Sequence, residues 1–141
     1  ATDTIVVDMG VSYKVGEKDN VAAGVDKDLA DIAPLRGNIA LNYEYMSNSV
    51  ATLEVQASDK WSDYDADNGE QELGSWAVVN MKVKHAVNKK FDLSVGINNL
   101  FDKTYAASNT YADLILLTAG ADTMLLNEPG RYVYTNLTFK F

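Results

Sequence analysis

The sequence predicts an all-β fold, an antiparallel up-and-down meander of about six strands. Two observations carry this prediction. Apolar and polar residues alternate with a period of two in six separate runs, and the connections between the runs are alternately long and short. Helical periodicity is weak, and only residues 112–126, where apolar side chains cluster, suggest a helix. With 141 residues, the chain forms at most one ordinary domain.

Each run places its apolar residues on one face and mostly polar residues on the other. The positions of the apolar face, in chain order, are Ile5, Val7, Met9, Val11, Tyr13 and Val15; Ile39, Leu41, Tyr43 and Tyr45; Ala51, Leu53, Val55 and Ala57; Ala77, Val79, Met81 and Val83; Phe91, Leu93, Val95 and Ile97; and Val133, Thr135, Leu137, Phe139 and Phe141. Because none of them is charged, we expect one face of the sheet to be free of charge along its whole width.

The connections fall into two classes. Residues 46–49 and 88–90 make tight turns, whereas residues 16–35, 62–74 and 102–129 make long loops. If consecutive strands run up and down, all tight turns lie at one end of the sheet and all long loops lie at the other. The chain then ends, at its last aromatic residue, on the side of the tight turns.

Two architectures fit this pattern. One is an outer-membrane β-barrel, which has short turns on one side, long loops on the other, an apolar outer band and a polar interior. The other is a soluble β-sandwich, in which apolar faces meet in a core. Aromatic placement favours the barrel, because Tyr45, Phe91 and Phe141 lie on the apolar face beside the tight turns and Trp61 lies at the loop end. Two aromatic girdles are typical of membrane barrels.

Composition excludes several function classes. The net charge of −8 argues against nucleic acid as a partner, because phosphate binding requires a basic surface. The chain has no cysteine and a single histidine, His85, which rules out the usual zinc sites. The chain contains no run of about 18 apolar residues, so the sequence predicts no membrane-spanning helix. His85 is in phase with the apolar face, where we expect an interfacial position.

Three segments resemble one protein family. The sequence GINNLFDKTY at residues 96–105 resembles the penultimate strand of TonB-dependent outer-membrane receptors. The sequence NEPGRYVYTNLTFKF at residues 127–141 resembles their final strand, and PLRGNIALNYEY at residues 34–45 resembles the start of another of their strands. The resemblance extends from the first strand to the last.

The resemblance implies a fold and a function. Receptors of this family form 22-stranded barrels around an N-terminal plug and import iron siderophores, haem, copper or similar metal chelates, driven by the TonB system. Six strands and no plug imply that residues 1–141 are the C-terminal portion of such a barrel, without the plug and the earlier strands. The resemblance further implies that the chain lies in the bacterial outer membrane and that it is not an enzyme. The chain then requires no cofactor of its own.

The resemblance also implies partners. They are membrane lipid and lipopolysaccharide, the TonB system through the missing N-terminal part, a small metal-chelate ligand, and the outer-membrane assembly machinery. Phe139 and Phe141 resemble the terminal signal that this machinery reads. The glycine usual five residues before the end is replaced by Asn136. Two alternatives remain open from the residues alone: a soluble all-β binding module and a small structural outer-membrane protein.

The loop at residues 63–72 is a candidate calcium site. Asp63, Asp65 and Asp67 alternate along the chain and Glu70 follows, so oxygen ligands occur at the spacing that Ca²⁺ prefers. The match to a calcium loop is incomplete, because the expected glycine comes one place late and Gly74 stands where a glutamate is usual. The alternative interpretation is an acidic loop exposed to solvent.

The last long loop is a candidate ligand-contact region. It contains an apolar segment, residues 114–117 and 124–126, with tyrosines nearby. An exposed apolar segment of this size usually contacts something. We therefore predict that Tyr105, Tyr111, Ile115 and Met124 contact ligand; packing against neighbouring loops is the equal alternative.

Overall fold

The sheet is a six-stranded antiparallel meander, as predicted. The computed structural model describes residues 4–19, 22, 24, 27–109, 111–113 and 123–141. The strands are β1 (Thr4–Ser12), β2 (Arg36–Met46), β3 (Ser49–Ser58), β4 (Trp76–Asn88), β5 (Phe91–Asn98), β6 (Tyr111–Asp113), β7 (Thr123–Leu125) and β8 (Tyr132–Phe139). The order in the main sheet is β1-β2-β3-β4-β5-β8, and β6 and β7 form a separate two-stranded sheet within the last loop.

Helix is scarce in the part of the chain that the structure describes. One 3-10 turn, Ala66–Asn68, interrupts the second long loop. No helix among the described residues has the length and apolar character needed to cross a membrane. The two ends of segment 112–126 belong to β6 and β7, so its described residues are extended rather than helical.

The register brings the apolar positions of all six strands to one face. A central row crosses the sheet through Val7, Leu41, Leu53, Met81, Ile97 and Val133. This face is open: Met9 is 76% exposed and Leu137 is 65% exposed. Within the described residues no second large sheet covers it. The face that a β-sandwich would bury against a partner sheet is therefore the outer face here.

The short turns and long loops lie at opposite ends, as predicted. The β2–β3 turn uses Asn48 at a φ of 60°, a left-handed conformation that asparagine tolerates. The pairing shifts register close to both short turns, between Glu44 and Met46 and between Ala86 and Asn88. The Lys140 amide donates to the Lys90 carbonyl at 2.7 Å, which fixes the chain end beside the β4–β5 turn.

The prediction that Trp61 lies on the outer face at the loop end is wrong. Trp61 is only 4% exposed and lies under the second loop instead of on the outer face. The strand β3 ends at Ser58, so the alternation that placed Trp61 outward stops before it. Beyond that point its backbone pairs with Leu73, and the indole Nε1 donates to the Asp63 carbonyl at 3.0 Å.

The small core lies at the loop end of the inner face. Trp61 and Leu73 from the second loop and Val78 from β4 are its buried apolar residues. Buried polar groups accompany them, among them Asp65 and Asn99. The loops are thus packed onto the inner side of the sheet, which positions the candidate site.

Candidate functional site

The inner face carries a network of paired polar side chains. Asn42 donates to Asp8 at 2.7 Å and accepts from Thr52 at 2.8 Å. Further towards the loops, Asn80 donates to Glu54 at 3.1 Å. Such bonds satisfy groups that would otherwise lose water on an enclosed inner wall. The inner wall is therefore polar and internally hydrogen-bonded.

A charge cluster occupies the inner face at the turn end. The Asp92 carboxylate, whose side chain is 3% exposed, lies 2.8 Å from Lys140 and 3.5 Å from Lys84. The two lysines remain about half exposed. Lys84 and Lys140 therefore compensate charge on the inner wall, and they tie the end of β8 to β4 and β5.

The first and second long loops are joined by polar contacts. Lys18 pairs with the buried Asp65 at 2.6 Å. The Glu70 carboxylate accepts from the Asp31 amide at 2.9 Å and from the Asp65 amide at 2.8 Å. Glu70 thereby connects the two loops, and the ion pair of Lys18 and Asp65 joins them a second time.

The third long loop is attached to the second loop and to the sheet. The Gln71 amide donates to the Asn109 side chain at 3.0 Å. Arg36 donates to the Ala107 carbonyl, and the rings of Trp76 and Tyr105 lie 4.5 Å apart. All three loops thus meet above one end of the inner face.

Arg36 lies at the centre of this junction. Its guanidinium is 5.9 Å from the ring centroid of Trp61 and 5.9 Å from that of Trp76. This distance is within the range of cation–π attraction. Among the described residues, no carboxylate lies within salt-bridge distance of the guanidinium. Sequence reasoning assigned no role to Arg36 or Trp76; the only signal was that Arg36 lies in the family-like segment 34–45.

The two family-like motifs around the last loop clasp each other. The Asn99 side chain accepts from the Lys103 amide at 2.8 Å and donates to the Pro129 carbonyl at 3.4 Å. The Asp102 carboxylate accepts from the Arg131 amide at 2.7 Å. A Cβ at Gly130 would lie 2.7 Å from that carboxylate, so glycine lets the carboxylate approach without shifting. The motifs therefore close the base of the loop.

Of the predicted ligand-contact residues, Tyr105 is the best placed. It is half-buried beside a cleft of about 250 Å³ that Asn98, Glu128 and Tyr132 also line. Burial, followed by the nearby Glu128 carboxylate, raises the pKa of the Tyr105 hydroxyl. Like any tyrosine hydroxyl it is protonated at neutral pH and can donate a hydrogen bond, and the raised pKa extends this state to higher pH.

The other predicted ligand contacts are described only in part. Tyr111 pairs with Leu125, and Ala112 pairs with Met124, across the β6–β7 hairpin. Ile115 and the rest of the apolar segment 114–117 lie outside the described residues. For these positions ligand contact stays a prediction.

The predicted calcium ligands have other partners in the structure. Asp65 pairs with Lys18, and Glu70 accepts two backbone amides. Asp63 accepts from the Ser62 hydroxyl at 3.3 Å, and Asp67 lies in the 3-10 turn. No group of three or more acidic or histidine side chains suited to a metal occurs among the described residues. Calcium binding here stays a prediction.

His85 lies on the apolar face near the short turns, as predicted. Its Nδ1 is 3.0 Å from the Tyr45 hydroxyl, and the two rings stack with centroids 6.1 Å apart. Phe139 and Phe141 pack edge to face at 5.3 Å at the same end of the sheet. Aromatic and amphipathic side chains therefore collect at the turn end of the outer face.

An apolar outer face, a polar inner face and long loops joined at one end define a segment of an outer-membrane-type β-barrel wall. Residues 4–100 match the family model described as "TonB dependent receptor-like, beta-barrel". The chain belongs to this family. Its place is accordingly the Gram-negative outer membrane, and the relatives are receptors and transporters rather than enzymes.

Individual relatives agree with the family match. The chain is 29% identical over 129 residues to the ferric enterobactin receptor of Pseudomonas aeruginosa, covering 82% of this chain and 17% of the receptor. It is similar in fold to the copper transporter OprC, with a TM-score of 0.81 at 23% identity over 97% of this chain and 21% of that one. The siderophore receptor PiuA of Acinetobacter baumannii has a TM-score of 0.66 at 19% identity, over 99% and 20% of the two chains.

The chain spans about one fifth of the relatives that it matches. Six strands also cannot close a barrel as wide as the family forms. The described residues therefore supply one sector of a wall and three of its loops.

Proposed function

We propose that this chain forms the C-terminal sector of the barrel of a TonB-dependent receptor that imports a metal chelate. The observation that carries the proposal is the junction of three long loops above a polar inner face, in a chain of this family. Such a junction gathers ligand on the outside and leads it to a wet interior. The plug and the earlier strands would complete the path and receive energy from TonB.

The named relatives suggest the substrate class. One is a receptor for ferric enterobactin and another is a copper transporter. An iron siderophore, haem, copper or a similar chelate is accordingly the proposed cargo. We propose Tyr105, Tyr111, Ile115 and Met124 as the contacts in this sector. Tyr105 carries most weight, since it contributes a protonated hydroxyl beside a polar cleft.

The remaining partners are those of a barrel in a membrane. We propose lipid acyl chains as the partner of the open apolar face and lipopolysaccharide as the neighbour of the loops. Phe139 and Phe141 stay the proposed signal for the assembly machinery. Calcium in loop 63–72 would require Asp65 to exchange Lys18 for the ion, so it is a weaker proposal than chelate uptake.

Uptake and size together test the proposal. Cells that express the full-length receptor are given ⁵⁵Fe-enterobactin, haem or ⁶⁴Cu, with and without TonB. We expect TonB-dependent accumulation of one of them, and an antibody against residues 127–141 should detect a large, heat-modifiable outer-membrane band. A soluble band near 15.4 kDa, the mass of this chain alone, would contradict the barrel sector. A correct band without uptake of any chelate would contradict the transport function only.

A further inference from the structure

Arg36 lies where the sheet meets the loops. It is the first residue of β2, and its row across the inner face runs from Ser12 through Ser58 to Trp76. Neighbouring strands are about 4.8 Å apart, so Arg36 and Trp76, two strands apart, have backbones roughly 10 Å from each other. The side chains of Arg36 and Trp76 occupy the space between these two backbone positions on the inner face.

The surroundings of the guanidinium suit the planar side chain of an arginine. Two indole rings lie 5.9 Å from it, and the Ala107 carbonyl accepts one of its hydrogen bonds. Its Nε has no hydrogen-bond partner among the described residues. A planar, delocalised cation can combine stacking with directed donation, whereas the compact ammonium of lysine cannot.

The same cluster holds the third loop at two points, two residues apart. The Arg36 guanidinium binds the backbone at Ala107, and the Trp76 ring packs against the Tyr105 ring at 4.5 Å. The Tyr105 carbonyl in turn accepts from the Glu128 amide at 2.8 Å, which attaches the returning limb of the loop. The ring centroid of Trp61 lies at the same distance from the guanidinium, 5.9 Å, and Trp61 is buried.

We propose that Arg36 is a positioning residue: clamped between Trp61 and Trp76, it fixes residues 105–109 of the third loop over the mouth of the barrel. The inference rests on the proposed function, because it gives Tyr105 and its neighbours a preset orientation towards the chelate. It assigns no ligand contact to Arg36 itself. A rigid loop loses less conformational freedom when ligand binds, so the clamp favours affinity.

The test compares the two arginines of the chain in the full-length receptor. Arg36→Lys keeps the charge but loses the planar fork, and we expect amide hydrogen exchange at residues 105–109 to become at least about tenfold faster. Arg131→Lys is the matched control. Arg131 also donates to a backbone carbonyl, that of Leu100 at 3.5 Å just before the third loop, but neither indole ring lies over it. It should leave exchange at residues 105–109 unchanged.

Transport of ⁵⁵Fe-enterobactin gives a second readout. Arg36→Lys should raise the apparent KM several-fold at an unchanged maximal rate, and Arg131→Lys should not. If the parent receptor accumulates haem or ⁶⁴Cu instead, that probe replaces ⁵⁵Fe-enterobactin. If it accumulates none of the three, the transport function fails while the exchange comparison still decides the clamp. Unchanged exchange at residues 105–109, or equal acceleration in all three loops, would overturn the inference. Should Arg36→Lys fail to assemble, Trp76→Leu replaces it, with the same expected local acceleration.

Discussion

The outer and inner faces of this sheet alternate along the same strands, yet they are specified in different ways. On the outer face, neighbours such as Leu41, Leu53 and Met81 share only their apolar character and are each more than two fifths exposed. On the inner face, many polar groups have particular partners, as Asn42 has in Asp8 and Thr52. The outer face is thus specified by its apolar surroundings, and the inner face by hydrogen bonds between particular residues.

This difference predicts how each face responds to substitution. In lipid, an apolar side chain can be exchanged for another of similar character, but a charge is costly because the hydrocarbon cannot solvate it. On the inner face a charge is tolerated if water or a partner reaches it, whereas removal of a partner leaves a polar group unsatisfied. Matched substitutions on adjacent residues can therefore separate the two faces.

The largest effect is expected for a charge placed in the central outer row. Leu53→Arg should lower the free energy of unfolding by about 2–4 kcal/mol when the receptor is refolded in lipid vesicles and unfolded with urea. Thr52→Arg, on the adjacent inner position, should cost about 1 kcal/mol, the value of the lost hydrogen bond to Asn42. Equal losses for both variants would mean that the faces are misassigned.

A smaller effect is expected from two glycines on opposite faces. Gly96 lies on the inner face under the Tyr134 ring, and an added Cβ would overlap that ring. Gly96→Ala should therefore cost about 1–3 kcal/mol, the usual range for overpacking. Gly37 lies on the outer face, and its nearest neighbour, the Gly10 carbonyl oxygen, is 3.5 Å from the position of a Cβ. Gly37→Ala should be tolerated in the same urea unfolding measurement. A larger loss for Gly37→Ala than for Gly96→Ala would contradict the arrangement of the inner wall.

The outer face could be predicted from the sequence because its rule is local. Alternation along each strand fixes the face of its residues, from Ile5 in β1 to Phe139 in β8, and no partner needs to be known. The connection lengths then fixed which end carries the loops. Alternation also excludes a slip of one residue between strands, which would turn Leu53 or Ile97 to the wrong side, but it does not exclude a slip of two.

The junction of the loops could not be predicted, because its contacts join residues far apart in sequence. Arg36 and Ala107, and Asp31 and Glu70, meet only after the sheet has formed. Trp61 shows the limit most clearly: the period-two rule was extended past Ser58, where the strand ends, and so placed its ring in lipid. The ionic partners of Asp92 likewise come from two other strands.

The finest test uses one substitution on both faces. Thr52→Val removes the donor that binds the Asn42 side chain at 2.8 Å, and should lower the free energy of unfolding by about 1 kcal/mol. Thr135 is the polar exception on the outer face, paired with Val95 in the register. Because Thr135→Val replaces a hydroxyl that faces lipid with a methyl group, we expect no loss or a small gain in the same measurement. Changes of opposite sign in the free energy of unfolding would show that the Thr52 hydroxyl stabilises the inner face through its partner, whereas the Thr135 hydroxyl adds no stability on the outer face. A loss for Thr135→Val as large as that for Thr52→Val would instead indicate a polar partner for Thr135, supplied from outside this sector.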